Sequence, residues 1–270
     1  MYVQNLVDPS HLCMGWSWYL ADDMQYYIFS PIFLIAYWKN KFLGWALAII
    51  GVLICMATNL GIAMGNDLQE FSGFEFGAEL GNYVPPNGKY GSLIYLPPWT
   101  RVSPYFIGFI CAFILLERGA KFRVSPIIRC VVYVTTFISL FILSFITWSD
   151  SNYGWLPWMN YLWITISRPM WSVALGALLM LCVIGYGGVF TRVMSKPFWV
   201  PLARLSYGAY IFHLVNLGTI YNGYKTGVTY TFSVGLYFFF GHLIIAFMLA
   251  FANYFLVEKP LMNIETLLLR

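Results

Sequence analysis

The chain alternates between long apolar runs and short polar breaks, and the runs set its architecture. Seven of them stand out, at about 24–38, 42–64, 104–117, 126–147, 161–186, 198–221 and 233–257. About 20 apolar residues of helix cross a bilayer core, so each run reads as a membrane-spanning helix. The third is short unless residues 99–103 join it, and Pro104 pre-sets its entrance. A β-barrel would instead show many alternating segments of about ten residues. The longest polar stretch, 65–100, carries Asp67, Glu70, Glu75 and Glu79 and then a Pro, Gly and Tyr-rich section. It has neither heptads nor alternation and reads as a large loop with one short surface helix. Residues 1–23, with Asp8, His11 and Cys13, are too polar for a signal peptide and have no basic start. The expected fold is all-α, a polytopic helical membrane protein with seven helices in this chain. No internal duplication is evident.

Composition sharpens that picture. Of 270 residues, 60% are hydrophobic, 20% aromatic and only 10% charged, and mean hydropathy is +0.70. Soluble domains carry about 25% charged residues. The few charges orient the chain. Lys39, Lys41, Arg118, Lys121, Arg123, Arg192, Lys196, Lys259 and Arg270 fall on one side of the alternating spans. Asp8, Asp67, Glu70, Glu75, Glu79 and Asp150 dominate the other, against Lys89, Arg101 and Lys225. By the positive-inside rule the chain starts extracytoplasmic and ends cytoplasmic, in the plasma membrane or an endomembrane. A net charge of +4 spread over short loops forms no basic patch, which argues against nucleic acid. Cys55, Cys111, Cys130 and Cys182 lie in apolar runs as small core residues, and no Cys/His spacing suggests a metal.

Polar side chains inside such runs are the candidate chemistry, because they are expensive at membrane depth. The segment Pro201 to His213 holds Ser206, Tyr210 and His213 at i, i+4 and i+7, one helical face, and Asn216 extends the stripe. The stripe is either a site or a hydrogen-bonding seam between helices. Asp22 and Asp23, at the mouth of the first run, either polarise a hydroxyl or bind a cation, or favour a helix N-terminus through capping and the dipole. Arg101 opens the third run, and Arg168 lies about a third of the way into the fifth. A guanidinium at that depth needs an anionic or carbonyl partner. Pairing of Arg168 with Asp22 or Asp23 is expected, and the phosphate or carboxylate of a ligand would serve equally. His242, among Tyr237, Phe238, Phe239 and Phe240, reads as a core histidine. No nucleophile elbow, P-loop or metalloprotease helix is present, so the available chemistry is a histidine base assisted by carboxylate or arginine.

Three segments together resemble the acyltransferase-3 family of membrane O-acyltransferases. Trp18-Tyr19-Leu20-Ala21-Asp22-Asp23-Met24-Gln25-Tyr26-Tyr27, with Pro31 beyond, is similar to its W-S-L-x-x-E-E-Q-F-Y…P segment. Leu205 to His213 resembles I-S-Y-x-x-Y-L-x-H, and Val257 to Pro260 its closing E-(K/R)-P. Cys13 to Gln25 and Pro98 to Gly108 are closer to the nose-resistant-to-fluoxetine branch of animal proteins. The resemblance implies a bundle of about ten helices whose first carries the catalytic arginine and histidine. No such segment precedes residue 24, so the chain reads as the C-terminal part of that domain, its N-terminal part being the missing partner. Asp22-Asp23 stand where bacterial relatives have a longer Glu-Glu pair. Implied is acyl transfer, from a thioester donor such as acyl-CoA with no bound cofactor, to a hydroxyl-bearing acceptor. His213, Asp22 and Asp23 would support catalysis, and Arg101, Arg168, Ser206, Tyr210 and Asn216 would bind substrate. The alternatives are a non-enzymatic transporter or receptor for lipids and hydrophobic small molecules, and a purely structural fragment without activity.

Overall fold

The computed structural model describes residues 2–7, 14–68, 90–119, 122–153, 155–224 and 231–269. Expectations placed on Asp8, His11, Cys13, Glu70, Glu75, Glu79, Lys89, Lys121, Lys225 and Arg270 lie outside them. Every predicted apolar run is helical, and no strand occurs among the described residues. The helices are α1 (Gln4–Val7), α2 (Trp18–Lys39), α3 (Lys41–Gly65), α4 (Ser103–Arg118), α5 (Pro126–Tyr153), α6 (Pro157–Val183), α7 (Gly188–Met194), α8 (Trp199–Tyr221), α9 (Phe232–Asn253) and α10 (Lys259–Leu268). Among the described residues four stretches are long and apolar enough to cross a membrane: Lys41–Gly65, Pro126–Ile146, Pro157–Val183 and Phe232–Leu268. The chain is an all-α polytopic membrane protein. It divides into two compact units, Met1–Arg192 and Val193–Arg270.

In the first unit α2 and α3 form a hairpin with Asn40 at its corner. Asn40 is extended, and its Oδ1 accepts from the backbone N–H of Phe42 at 3.0 Å, capping α3. The helices then meet closely: a Cβ on Gly44 would lie 2.6 Å from the Tyr37 Cα. Helix α4 lays Phe106, Phe109 and Phe113 against Ala48, with the Phe113 ring stacked on Tyr37 at 3.9 Å. Glu117 ties the ends of three helices, its Oε1 accepting from Trp45 Nε1 at 2.9 Å and Tyr37 Oη at 3.1 Å. Helix α6 packs against α3, α4 and α5.

The described end of the 65–100 stretch is not a surface loop. Tyr90, Ile94, Leu96 and Thr100 are buried, in a π-helical turn (Gly91–Tyr95) followed by a 3₁₀ turn (Pro98–Thr100). Tyr90 and Ile94 join Ala63, Leu68 and Ile164 in one apolar cluster. The backbone polarity this buries is met locally and from afar. Thr100 Oγ1 reaches the carbonyls of Ile94 (2.8 Å) and Pro97 (2.7 Å). Tyr26 Oη donates to the Pro98 carbonyl at 2.7 Å, and Asn59 Nδ2 to that of Thr100 at 3.0 Å. Buried carbonyls without such donors would be costly.

In the second unit α8 and α9 run antiparallel. Gly208 faces Ala250 near one end of the pair and Asn216 faces His242 further along, one helix number rising as the other falls. Small residues allow the approach: Ala209, Ala246 and Ala250 form the buried seam. The helical path does not stop at Glu258-Lys259-Pro260. It continues through a π-helical turn (Tyr254–Glu258) into α10, because Pro260 falls in the first turn, where no N–H is needed. Asn253 Nδ2 donates to Glu258 Oε1 at 2.8 Å across that turn, which gives Glu258 a structural role.

Candidate functional site

Each unit holds a cavity, and the sequence-predicted residues divide between them. The first, about 510 Å³, is lined by Trp18, Tyr19, Asp22, Asp23, Tyr26, Arg101, Tyr105, Trp163, Arg168 and Trp171 among others. Helix α2 supplies the carboxylates, the 3₁₀ turn Arg101 and α6 Arg168. The tyrosine and asparagine bonds that hold that turn also set the position of Arg101. Its guanidinium lies over the rings of Trp18 (4.5 Å) and Tyr95 (4.2 Å), and its Nε donates to the Tyr95 carbonyl. The two rings themselves meet at 4.8 Å, so the planar cation caps a touching aromatic pair, an arrangement that a lysine cannot reproduce.

Asp22 is 2% exposed. Its Oδ1 accepts from Asn5 Nδ2 at 2.6 Å, and Asn5 Oδ1 in turn accepts from Gln25 Nε2 at 2.9 Å. Oδ2 has no hydrogen-bond partner among the described residues. Burial pushes the Asp22 carboxyl up to about 7, Arg101 draws it down and Asp23 adds to the rise. Asp22 therefore titrates near neutrality. Burial and then the neighbouring Arg168 bring Arg101 down to about 10, which leaves it charged. Asp23 is exposed at the rim.

Arg168 does not make the expected ion pair with Asp22 or Asp23. Its Nη2 donates instead to Tyr90 Oη at 3.0 Å, while its buried Nη1 has no partner among the described residues. A guanidinium needs an acceptor more than it needs a charge, and Tyr90, packed beside Ile164 of α6, is the nearer oxygen. The sequence reading missed Tyr90 and Tyr95. Their signal was the tyrosine content of a stretch read as loop.

The second cavity, about 670 Å³, lies between α8 and α9. Its α8 wall runs Ser206, Tyr210, His213, Leu217 and Tyr221, and the α9 wall includes Phe238, Phe239, His242 and Ala246. The stripe read from spacing is real, and its hydrogen bonds separate seam from site. Ser206 Oγ donates within its own helix, to the Ala203 carbonyl at 2.7 Å. His213 Nδ1 meets the Tyr210 carbonyl one turn back. A carbonyl only accepts, so Nδ1 carries the proton and Nε2 is the ring's acceptor. Asn216 turns off the stripe into the seam and crosses to α9, its Nδ2 meeting the His242 carbonyl at 3.3 Å and His242 Nδ1 at 3.2 Å. Of these, Asn216 is the glue. His242, assigned to the core from sequence, instead lines the cavity, its ring clustered with those of Tyr221 (5.6 Å) and Phe238 (5.9 Å), which also meet each other at 5.7 Å.

Against known proteins, the acyltransferase-3 family model, described as "Acyltransferase domain", matches residues 2–257. The chain belongs to the acyltransferase-3 family. It is 27% identical over 240 residues to "Nose resistant to fluoxetine protein 6" of Caenorhabditis elegans, covering 82% of this chain and 28% of that protein. It is 26% identical over 213 residues to "Regulator of hypoxia-inducible factor 1" of the same organism, covering 75% of this chain and 40% of that one. The chain thus spans less than half the length of these relatives. No solved structure matches it. Both cavities lie within the matched residues, and so do all the candidate side chains above. Family membership supports an acyltransferase-like role in a membrane.

Proposed function

We propose that the protein takes part in transfer of an acyl group from a thioester donor, such as acyl-CoA, to a hydroxyl-bearing acceptor at the membrane. The observation that carries this reading is the His213 ring, anchored through Nδ1 on its own helix so that Nε2 is left as an acceptor in a largely apolar cavity. In the step, Nε2 takes the hydroxyl proton while the hydroxyl oxygen bonds to the thioester carbonyl carbon. The carbon–sulfur bond breaks, sulfur leaves with its electron pair, and the proton on Nε2 passes to it. An ester and a free thiol result, with nothing oxidised or reduced. Ser206 and Tyr210 border the acceptor, and Asn216 holds the seam. In the first unit Arg101 and Arg168 would bind the phosphate or carboxylate of a ligand, and Asp22 and Asp23 would adjust its charge. The protein is read as multi-pass, its Lys and Arg-rich loops cytoplasmic and residues 65–100 extracytoplasmic.

A second reading, a transporter or receptor for lipids or hydrophobic small molecules, draws on walls rich in rings: Tyr221, Phe238, Phe239 and Phe247. Membranes from cells expressing the protein, given a radiolabelled acyl thioester and a long-chain alcohol, separate the two. Turnover that falls about a hundredfold in His213→Gln at nearly unchanged melting temperature is expected. Activity that survives while only stability falls makes His213 a structural residue. Retention of the alcohol without any product favours the second reading.

A further inference from the structure

His213 and His242 line one cavity and carry opposite hydrogen-bonding groups. The Asn216 amide fixes the second. Its Nδ2 faces a backbone carbonyl, which demands an N–H donor, so the amide cannot be turned the other way. The same nitrogen lies 3.2 Å from His242 Nδ1. With an N–H on Asn216 pointing there, Nδ1 of a neutral ring supplies the lone pair and the His242 proton resides on Nε2. That Nε2 is buried and has no hydrogen-bond partner among the described residues. An unmet buried donor is costly in an apolar setting, and an oxygen that reaches it repays that cost. His213 offers the converse group, an Nε2 lone pair. In the antiparallel register Asn216 stands opposite His242, and His213 is three residues from Asn216, about 4.5 Å along the seam. Rings of Tyr221, Phe238 and Phe239 form much of the remaining wall.

We infer that the α8–α9 cavity is a binding site for a lipid-phase alcohol, whose hydroxyl donates to His213 Nε2 and accepts from His242 Nε2–H. A hydroxyl is a small group that does both at once, and the cavity volume of about 670 Å³ suits a hydrophobic molecule behind it. Charged heads are disfavoured, since no Lys, Arg, Asp or Glu lines this cavity among the described residues. The inference rests on the acyl-transfer reading only in naming the bound alcohol as the acceptor; the binding itself needs no donor and no turnover. His242 is on this account a positioning residue for the acceptor oxygen, and Asn216 sets its tautomer.

The test is competition in vesicles containing the full protein, with a diazirine-bearing long-chain alcohol as the photolabel. Three competitors of equal chain length are compared at equal concentration per lipid: the alcohol, its methyl ether and the hydrocarbon. The alcohol offers a donor and an acceptor, the ether an acceptor only, the hydrocarbon neither. Label on α8 and α9 is expected, with each step from alcohol to ether to hydrocarbon weakening competition about three- to tenfold. His213→Phe should erase the alcohol–ether step and leave the ether–hydrocarbon step. His242→Phe, which keeps a ring against Tyr221 and Phe238, should do the reverse. Asn216→Leu leaves the His242 ring but frees its tautomer and should shrink the ether–hydrocarbon step, so the idea stays testable if His242→Phe does not fold. Absence of label on these helices, or both steps persisting in His242→Phe and Asn216→Leu, overturns the site. Loss of the steps as described in a protein that shows no acyl transfer would retain the site and remove the transferase reading.

Discussion

A carboxyl that is almost fully enclosed and titrates near neutrality makes the first cavity sensitive to pH. Asp22 ordinarily ionises near 3.8 and is raised to about 7 here, mainly by burial. For an acid whose folded pKa is raised, the folded state binds more protons than the unfolded one between those two values. Stability is therefore greatest below the unfolded pKa and declines as pH rises through the folded pKa. The expected outcome is a melting temperature in detergent that falls between about pH 5 and about pH 8 in the native protein. In Asp22→Asn the decline should be much reduced, because the amide keeps the Asn5 contact region polar but cannot ionise. An equal slope in both proteins would assign the pH dependence to other groups. The same residue explains why the expected pairing with Arg168 was not needed. Asp22 is held by Asn5 and lies near Arg101, while Arg168 has Tyr90.

Between helices, the decisive contacts are close approaches that small residues permit. A Cβ on Gly208 would meet the Ala250 Cβ at 3.1 Å and its Cα at 3.3 Å, both tighter than ordinary packing. Gly208→Leu should force α8 and α9 apart, cost about 1–3 kcal/mol and disturb the Asn216–His242 bond further along the seam. Thermal melts of the variant check the first part, and loss of the alcohol preference checks the second. An unchanged melt would mean the seam has slack that this packing does not indicate. The helices themselves were legible, because apolar runs bounded by Asn40, Pro104, Pro126 and the Lys/Arg breaks carry their own signal. The Ser206–Tyr210–His213 stripe was legible for the same reason: one helix repeats every 3.6 residues. The order of residues 90–102 was not, since it depends on Tyr26 and Asn59, far away in sequence, reaching its carbonyls. Nor was the role of His242. Its partner Asn216 sits on another helix, and only the register between α8 and α9 brings the two together. Periodicity describes faces of single elements and is silent on which faces meet.

For the whole molecule the open quantity is its arrangement across the membrane, and charge decides the expectation. The basic loop containing Arg118 and Arg123 lies between α4 and α5, while α3 leads out to Asn66 and Asp67 at the start of the acidic stretch. Lys and Arg in short loops are retained on the cytoplasmic side, whereas Asp and Glu weigh little, so the basic loop sets the orientation. If α4 crosses the membrane, these two positions lie on opposite sides of it. Single cysteines at Asn66 and Ser125, both exposed, placed in a background with the five native cysteines replaced, report this directly. An impermeant maleimide applied to intact cells should label Asn66→Cys and not Ser125→Cys, and permeabilisation should expose the second. Labelling of Ser125→Cys in intact cells would invert the orientation. Labelling of both would mean that α4, only 16 residues long, does not cross but lies within the bundle with both ends on one side. In the expected case Asn66 and the 65–100 stretch face outward and the Lys39–Lys41 corner faces the cytoplasm, since α3 is long and apolar enough to separate them.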